Sequence, residues 1–326
     1  MQNDASDELY PVRMAQRAAI LCAIRQYFWS QTFIEIDAPV LVTSPGMEPH
    51  LDAFAVESGH GRRYLHTSPE YALKRAIGSG LRNVFSIVPC FRNEHPSSTH
   101  SPEFTMLEWY ATHADLFELM KQVEEVVRCA ARAVTNQSPL HELDLESPFE
   151  RLTVREAFLR HTELDPWTLT SAEAFKAEAL KKGIYVSDSS AEWDEIFHQV
   201  FLNAVEPFIG KDKPVFLWGW PASQAALSRL DPKDKTIALR FELFAAGIEL
   251  ANAFDELTDA DEQRRRFIIE QGEREAAGRT VYPIDEALLS RLATMPPTAG
   301  IALGIDRLVM LLVGAKHIDE VRTQPW

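Results

Sequence analysis

The residues best suited to chemistry on a charged substrate lie in one turn-rich segment, VFSIVPCFRNEHPSSTHSPEFTMLEWY, which runs from Val84 to Tyr110. Arg92 ends its first apolar run, and a guanidinium can grip a phosphate through two hydrogen bonds. Phe104 begins the second run, where its ring could lie against a base. The segment therefore predicts a nucleotide-binding hairpin. The alternative is a surface hairpin whose Arg–Glu pair is solvated and contributes little.

A second arginine stands at a predicted helix start near the C-terminus. In GIALGIDRLVMLLVG, residues 300–314, a strand of small residues breaks at Gly304 and an apolar helix follows. Asp306 falls in the first turn of that helix, next to Arg307. Because the N-terminal end of a helix is electropositive, an arginine there is well placed for an anion. Arg307 is thus a second candidate for binding phosphate.

A third block, RFELFAAGIELANAFDE, carries glutamates at a spacing of seven residues, namely Glu242, Glu249 and Glu256. Magnesium takes oxygen ligands and commonly shares them with phosphates, so paired carboxylates near a polyphosphate indicate a Mg²⁺ site. Solvated strand positions are the alternative, since glutamates are mostly exposed.

A sheet must position these residues. The period of two in a strand puts Phe104, Met106, Glu108 and Tyr110 on one face. Apolar periodicity and capping residues predict helices at Val12–Gln31, at Pro69–Ile77 after an N-cap at Ser68, and at Leu116–Val134. Several strands are expected over Val215–Phe254 and a helix over Asp255–Gly278. Strands in runs with grouped helices predict an α+β fold with a mainly antiparallel sheet.

Composition narrows the class of protein. The 326 residues are 46% hydrophobic, which is ample for a core, and the net charge of −15 shows no basic footprint for nucleic acid. Cys22, Cys90 and Cys129 have no metal-binding spacing. With no apolar run near the roughly 20 residues of a membrane span and no signal peptide, a cytoplasmic protein is expected. Lys74 and Arg75 are interpreted as solvated surface charge.

Three motifs in order resemble those that define class II aminoacyl-tRNA synthetases: FIEIDAPVL at Phe33–Leu41, FRNE…HSPEFTMLEWY, and GIALGIDRL. With SPEYALKR and GIELANAF they resemble the catalytic core of lysyl-tRNA synthetase over essentially the whole chain. Because the first motif begins about 30 residues in, the N-terminal OB anticodon-binding domain of that enzyme is expected to be absent. The chain is therefore similar to the stand-alone paralogues that attach activated lysine, preferably (R)-β-lysine, to a lysine of elongation factor P.

This resemblance implies a single catalytic domain with a helical insertion at about 135–214, ATP and Mg²⁺ as reactants, an aminoacyl-adenylate intermediate, and a homodimer built by the first motif. Arg92 and Arg307 are the implied catalytic residues. The residues implied to contact ATP are Arg92, Asn93, Glu94, His100, Ser101, Phe104, Glu249, Leu250, Gly304 and Arg307. Those implied for the amino-acid pocket are Ser68, Pro69, Glu70, Glu108, Tyr110, Asn252, Glu256 and Ala302. Glu242 and Glu249 are the implied Mg²⁺ ligands.

The resemblance also assigns roles. Phe104 is expected to stack on adenine against Arg307. Glu256 is expected to hold the side-chain ammonium of the substrate, and Glu70 with Ser68 its other amine, because a buried charge needs a partner. Ala302 stands where glycine is common, and its methyl group would favour an amine one carbon further out, as in β-lysine.

Other functions stay open at this point. A truncated lysyl-tRNA synthetase could charge tRNA, although the acidic net charge argues mildly against tRNA as a partner. A stand-alone asparagine synthetase would want basic groups in its pocket, where this chain offers glutamates. A non-enzymatic regulatory paralogue would have no need of the two arginines and the paired glutamates named above.

Overall fold

The computed structural model describes residues 4–59, 61–134, 143–187 and 189–324. The chain forms two compact units, one of residues 1–141 and 255–326 and the other of residues 142–254. The expected single catalytic domain with an insertion at 135–214 stays a prediction, and positions 135–142 lie outside the described residues.

The first unit combines helices with two sheets. Its helices are α1 (Asp4–Ser30), α2 (Glu70–Gly78), α3 (Leu116–Arg132), α7 (Ala260–Ala276), α8 (Glu286–Leu292) and α9 (Ile305–Val313). Its strands are β1 (Ile34–Glu35), β2 (Leu41–Val42), β3 (Ala55–Val56), β4 (Arg63–Leu65), β5 (Val84–Phe91), β6 (Glu103–Thr112) and β11 (Thr298–Gly304). The larger sheet has the order β1-β5-β6-β11, and a small antiparallel sheet has the order β2-β4-β3.

The predicted hairpin is confirmed. Strands β5 and β6 pair antiparallel from Val84 opposite Tyr110 to Phe91 opposite Glu103 without a register shift. Strand β11 pairs antiparallel with the other edge of β6, while β1 runs parallel to β5. The Pro- and Ser-rich segment between β5 and β6 supplies the connection, since its residues favour turns over ladders.

Strand β6 separates a structural face from a functional one. On one face Leu107 and Trp109 are fully buried, and the ring of Trp109 packs against Phe28 of α1 with centroids 5.2 Å apart. The indole N–H of Trp109 donates to Gln122 of α3 at 2.9 Å. Because side chains alternate along a strand, the other face presents Met106, Glu108 and Tyr110, as predicted.

The second unit has a sheet of order β10-β9-β8-β7 and an aromatic core. Its elements are β7 (Glu150–Thr153), α4 (Val154–Thr162), α5 (Ala172–Lys181), α6 (Trp193–Ala204), β8 (Val215–Pro221), β9 (Ile237–Ala245) and β10 (Ile248–Asp255). Pairing is antiparallel except between β7 and β8. Phe158, Phe197 and Trp220 pack together in this core, with Phe158 and Phe197 stacked at 4.8 Å.

Three predicted helix starts are wrong, and one of them is that of α7, which begins at Ala260 and not at the predicted Asp255. Helix α1 begins at Asp4, before the predicted Val12, and includes Pro11 within it. Proline is common at the start of a helix and rare in its interior. The predicted helix therefore began after Pro11, whereas the observed helix continues through it. Helix α2 begins at Glu70 with Pro69 as its N-cap, although the hydroxyl of Ser68 still accepts a hydrogen bond from the Glu70 backbone N–H at 3.0 Å.

The α+β fold class is confirmed, with helices flanking mainly antiparallel sheets. Among the described residues, every helix is too short or too polar to cross a membrane.

The buried side chain of Arg274, in α7, connects several segments of the first unit. Its side chain is 0% exposed and donates to the backbone oxygens of Glu48, Leu51 and Thr280 and to the carboxylate of Asp52. We expect Arg274→Met to lower the free energy of unfolding by about 3 kcal/mol, because buried acceptors lose their donor.

Urea unfolding of the variant checks this value. Arg265→Met on the same helix is the matched control, since Arg265 is exposed and pairs only across the surface with Glu262. The control should change stability by less than about 0.5 kcal/mol. Equal effects of the two substitutions would contradict the role of Arg274.

Candidate active site

The centre of the site is a group of carboxylates brought together in the first unit. Glu108 comes from the functional face of β6, Glu70 from the first turn of α2, and Glu256 directly follows β10. The Ser68 hydroxyl donates to Oε1 of Glu108 at 2.6 Å, and the Tyr110 hydroxyl donates to Oε2 at 3.1 Å. Both oxygens of Glu108 are thereby oriented.

Lys74 joins the other two carboxylates. Its Nζ lies 2.5 Å from Oε1 of Glu70 and 2.5 Å from Oε2 of Glu256, and the residue is only 2% exposed. The prediction that Lys74 is solvated surface charge is therefore wrong. Its neighbour Arg75 does reach the surface, where it pairs with Asp285. Lys74 lies one helical turn after Glu70, a spacing that in sequence is typical of a surface ion pair.

Burial controls the electrostatics of this pocket. Burial raises the pKa of Glu108 to about 8, and the charge of Glu70 adds to the rise, while the hydrogen bonds from Ser68 and Tyr110 oppose it. Burial likewise raises the pKa of Glu256, which attraction to Lys74 partly lowers again. For Lys74, burial disfavours the charge, but attraction to Glu256 and Glu70 raises its pKa above the ordinary value. Burial thus disfavours the simultaneous ionisation of Glu108 and Glu256.

Strand β11 forms one wall of the pocket with residues that have little or no side chain. Gly300 lies opposite Tyr110 and Ala302 opposite Glu108. A Cβ on Gly300 would overlap the ring of Tyr110 and Oε1 of Glu256. Glycine is therefore needed at 300 for Tyr110 and Glu256 to occupy these positions. The methyl of Ala302 packs in the small cluster around Val88 and Met106.

Glu48 is a fourth carboxylate, which the sequence reasoning missed. Its Oε2 is buried and accepts no hydrogen bond from the described residues. Burial raises the pKa of Glu48, as does the charge of Glu70, while Arg92 and Lys74 oppose the rise. Gly46, at φ +140°, makes room for it, because a Cβ there would lie 2.5 Å from Oε2 of Glu48. Its only sequence signal is a glycine two positions before a glutamate.

The two arginines predicted to bind phosphate have different neighbours. The Arg92 guanidinium lies over the ring of Phe104, 5.1 Å from its centroid, and its Nε is buried without a hydrogen-bond acceptor among the described residues. Arg307 donates from Nε to the backbone oxygen of Thr99 at 3.1 Å, and its Nη2 lies 2.7 Å from Nε2 of His100. Arg92 therefore covers Phe104, whereas Arg307 contacts the segment between β5 and β6.

Asp306 fixes the start of α9 against β6. Its Oδ2 accepts from the backbone N–H of Thr105 at 2.7 Å, and its Oδ1 lies 2.5 Å from Nη1 of Arg17 in α1. Arg17 also donates to the Thr105 hydroxyl at 2.8 Å. The predicted first-turn acid thus ties α9, β6 and α1 together next to Arg307.

The other residues predicted for ATP in this unit surround the same loop. Ser101 is buried and accepts from Arg322, and the backbone N–H of Asn93 donates to Asp52 at 2.7 Å. The Glu94 N–H donates to the Arg92 backbone oxygen at 2.9 Å. Gly304 caps α9, and a Cβ there would make only ordinary contact, 3.7 Å from Cδ of Arg307. The need for glycine at 304 stays a prediction.

The second unit contains the remaining predicted residues. Glu242 lies opposite Asn252 in the β9–β10 ladder, and Arg240 contacts both, donating to Oδ1 of Asn252 at 3.0 Å. Burial raises the pKa of Glu242 to about 8; Arg240 opposes this rise and Glu249 adds to it. Leu250 is buried. Within the described ranges there is no group of three or more acidic, histidine or cysteine side chains arranged to hold a metal ion.

The motifs, fold and site define the class of protein. The family of class II tRNA synthetases for D, K and N matches residues 4–326, and the chain belongs to this family. Its members are ATP-dependent, and this chain is a class II synthetase-like ligase. It is 39% identical over 315 residues to proteins named elongation factor P-(R)-beta-lysine ligase in Salmonella typhi, Salmonella dublin and Salmonella paratyphi B. Each match covers 94% of this chain and 93% of the relative.

The raised pKa of Glu108 predicts a specific pH dependence of stability. Its folded-state pKa of about 8 exceeds the ordinary unfolded value near 4.3, so the folded protein loses stability from about pH 5 up to pH 8. Glu108→Gln removes this loss while keeping the shape of the side chain. We expect the melting temperature of the variant, relative to wild type, to rise over that range and level off above it.

Melting curves at several pH values check this expectation. Glu57→Gln is the control, because Glu57 lies exposed on the surface beside Arg62. Its melting temperature relative to wild type should stay nearly constant. A constant difference for Glu108→Gln would mean that the carboxylate is ionised throughout this range.

Proposed function

We propose that the protein activates lysine, preferably (R)-β-lysine, with ATP and transfers it to a lysine side chain of elongation factor P. The observation that carries the proposal is the buried acidic pocket of Glu70, Glu108 and Glu256. Buried carboxylates need cationic partners, and a substrate with two ammonium groups supplies them. The name of the Salmonella relatives supports both the amino acid and the acceptor.

The proposed reaction has two steps. In the first, a carboxylate oxygen of the amino acid attacks the α-phosphorus of ATP, and pyrophosphate leaves with the electrons of the broken P–O bond. In the second, the amine of the acceptor lysine attacks the carbonyl carbon of the adenylate, AMP leaves, and the amine loses a proton to solvent. An amide bond replaces the mixed anhydride. These steps depend on positioning and on charge stabilisation more than on acid–base groups.

Arg92 and Arg307 are the proposed catalytic residues, since they can neutralise charge that develops on the phosphates. The buried Nε of Arg92, which has no acceptor among the described residues, supports an anionic ligand there. Stacking of Phe104 on adenine against Arg307 remains our proposal. It requires the Arg92 guanidinium to move off the ring of Phe104 as it engages phosphate.

Mg²⁺ is proposed to bind Glu242 and Glu249. These residues fit a divalent cation, because Glu242 is buried and the charge of Glu249 disfavours its ionisation, which a bound cation would relieve. A bound Mg²⁺ would neutralise phosphate oxygens during adenylation. Asn252 and Leu250 are proposed to line the substrate and nucleotide sites, respectively.

We also propose a homodimer and a cytoplasmic location. Trp29, Ile34 and Leu41, in or next to the first motif, are large apolar residues with 53%, 49% and 49% of their surface exposed. Exposed apolar side chains of this size near one motif favour an interface between two copies. The cytoplasmic location follows from the proposed acceptor, a translation factor.

Mass measurement on purified elongation factor P tests the function. Incubation with the protein, ATP and (R)-β-lysine should add the mass of one lysyl group, and α-lysine should react less well. Omission of ATP is the control. Transfer to tRNA in preference to elongation factor P would favour the alternative of a tRNA-charging enzyme. Amino-acid binding without ATP–pyrophosphate exchange would favour a regulatory protein.

Two substitutions in the wall formed by β11 should have different effects on the use of the substrate. Ala302→Gly removes a methyl group beside the pocket and should improve the kcat/KM of α-lysine relative to β-lysine by about tenfold, the scale of one methyl group. Gly300→Ala should weaken both isomers, because its Cβ overlaps Tyr110 and Glu256. ATP–pyrophosphate exchange with each isomer measures both effects, and the KM for ATP serves as the internal control. Unchanged selectivity in Ala302→Gly would refute the role of the methyl group.

A further inference from the structure

Lys74 is a buried cation inside a pocket that is proposed to bind cations. It is 2% exposed and contacts Glu70 and Glu256, the two carboxylates assigned to the substrate amines. We propose that Lys74 is a positioning residue that sets the net charge of the pocket and so selects substrates with two ammonium groups. This inference rests on the proposed function and deepens it.

The charge balance supports this role. Glu70, Glu108 and Glu256 carry three negative charges when ionised, and Lys74 cancels one of them. Two negative charges remain, which match two substrate ammonium groups. Glu48 is a further carboxylate of this region, and both Arg92 and Lys74 attract its charge.

The geometry leaves room for the substrate on the same carboxylates. Lys74 forms its ion pair with Oε2 of Glu256, and both oxygens of this carboxylate are buried without a regular hydrogen bond from the described residues. Oε1 is the oxygen that a side chain on Gly300 would overlap, so it points to the β11 wall. Lys74 therefore holds Glu256 in an orientation that presents one oxygen to a ligand.

A purely structural role for Lys74 does not explain why the side chain buried at this position is charged. Tyr71, Leu73 and Ile77 already supply the apolar contacts of α2. If position 74 served packing alone, an apolar side chain of similar size would stabilise the protein as well or better, because burying ions is costly. A charged residue at this position makes sense when it compensates carboxylates that must stay ionised for binding.

Loss of Lys74 should make the pocket take up a proton. Without the ammonium, one carboxylate would be buried with no counter-charge, and protonation is the less costly state. Lys74 interacts electrostatically with the carboxylates of Glu48, Glu70, Glu108 and Glu256. Around these carboxylates, Tyr110 acts on Glu108, Asp255 acts on Glu256, and Arg92 acts on Glu48. Substrate binding to a variant without Lys74 must then release this proton, which higher pH favours.

The first experiment compares Lys74→Met and Lys74→Arg with wild type in ATP–pyrophosphate exchange between pH 6 and pH 9. For Lys74→Met we expect the acidic limb of kcat/KM for lysine to move to higher pH by about one unit, a roughly tenfold loss at neutral pH. The loss should lie in the KM for lysine and recover toward pH 9, while the KM for ATP stays constant. Lys74→Arg keeps the charge and should keep the wild-type pH profile.

Arg75→Met is the matched control on the same helix, since Arg75 forms an ion pair with Asp285. It should leave the pH profile unchanged. A Lys74→Met enzyme with a uniform fall in kcat and an unshifted profile would overturn the inference, because that is the result of a structural role.

A second measurement needs no substrate. The melting temperature of Lys74→Met relative to wild type should fall further as pH rises from 6 to 9, because its carboxyl must ionise without a partner. A deficit that is constant with pH would overturn the inference. If wild type shows no exchange with either lysine isomer, the proposed function fails, and the melting curves still decide whether Lys74 compensates the pocket charge.

Discussion

The register of β6 against its two neighbours is the constraint on which the site depends. With no shift between β5, β6 and β11, Tyr110 must face Gly300 and Glu108 must face Ala302. A slip of one residue would turn Glu108 toward the core that Trp109 now fills. The packing of Trp109 against α1 and α3 therefore fixes the register, and the register in turn forms the pocket.

The pocket differs from a typical protein interior because it contains an excess of buried acidic side chains. Buried carboxylates destabilise a fold unless they are paired, and this group has more acidic than basic members. The hydroxyls of Ser68 and Tyr110 and the ammonium of Lys74 reduce the cost without removing it. Under the proposed function, a dicationic substrate would pair with the carboxylates that the protein leaves without a counter-charge, and this pairing would contribute to the free energy of binding.

Local sequence patterns predicted much of this site. The features that they missed depend on contacts between residues far apart in the sequence. The hairpin and the shared face of Met106 and Glu108 follow from alternation within one strand. The burial of Lys74 does not follow from its helix, because Glu70 and Lys74 at a spacing of four look like a surface pair. Only the arrival of Glu256 from a distant part of the chain makes Lys74 a core residue.

The position of Arg92 over Phe104 is a second feature that the sequence did not predict. Sequence reasoning assigned these residues through their contacts with a nucleotide, whereas the protein alone pairs the guanidinium with the ring. The cation–π contact between Arg92 and Phe104 stabilises this arrangement. Residue type singled out both residues in the sequence, but their contact with each other did not follow from it.

Under the proposed function, two features of this pocket would separate substrates, and they differ in strength. A methyl group such as that of Ala302 changes relative binding by about 1–3 kcal/mol, which gives a preference between lysine isomers. A missing ammonium would leave a buried carboxylate unpaired, and sites that pair polar groups reject such analogues by factors of about 10⁴ or more. With the proposed substrate, the carboxylates and Lys74 would therefore exclude amino acids with a single amine far more firmly than Ala302 would distinguish β-lysine from α-lysine.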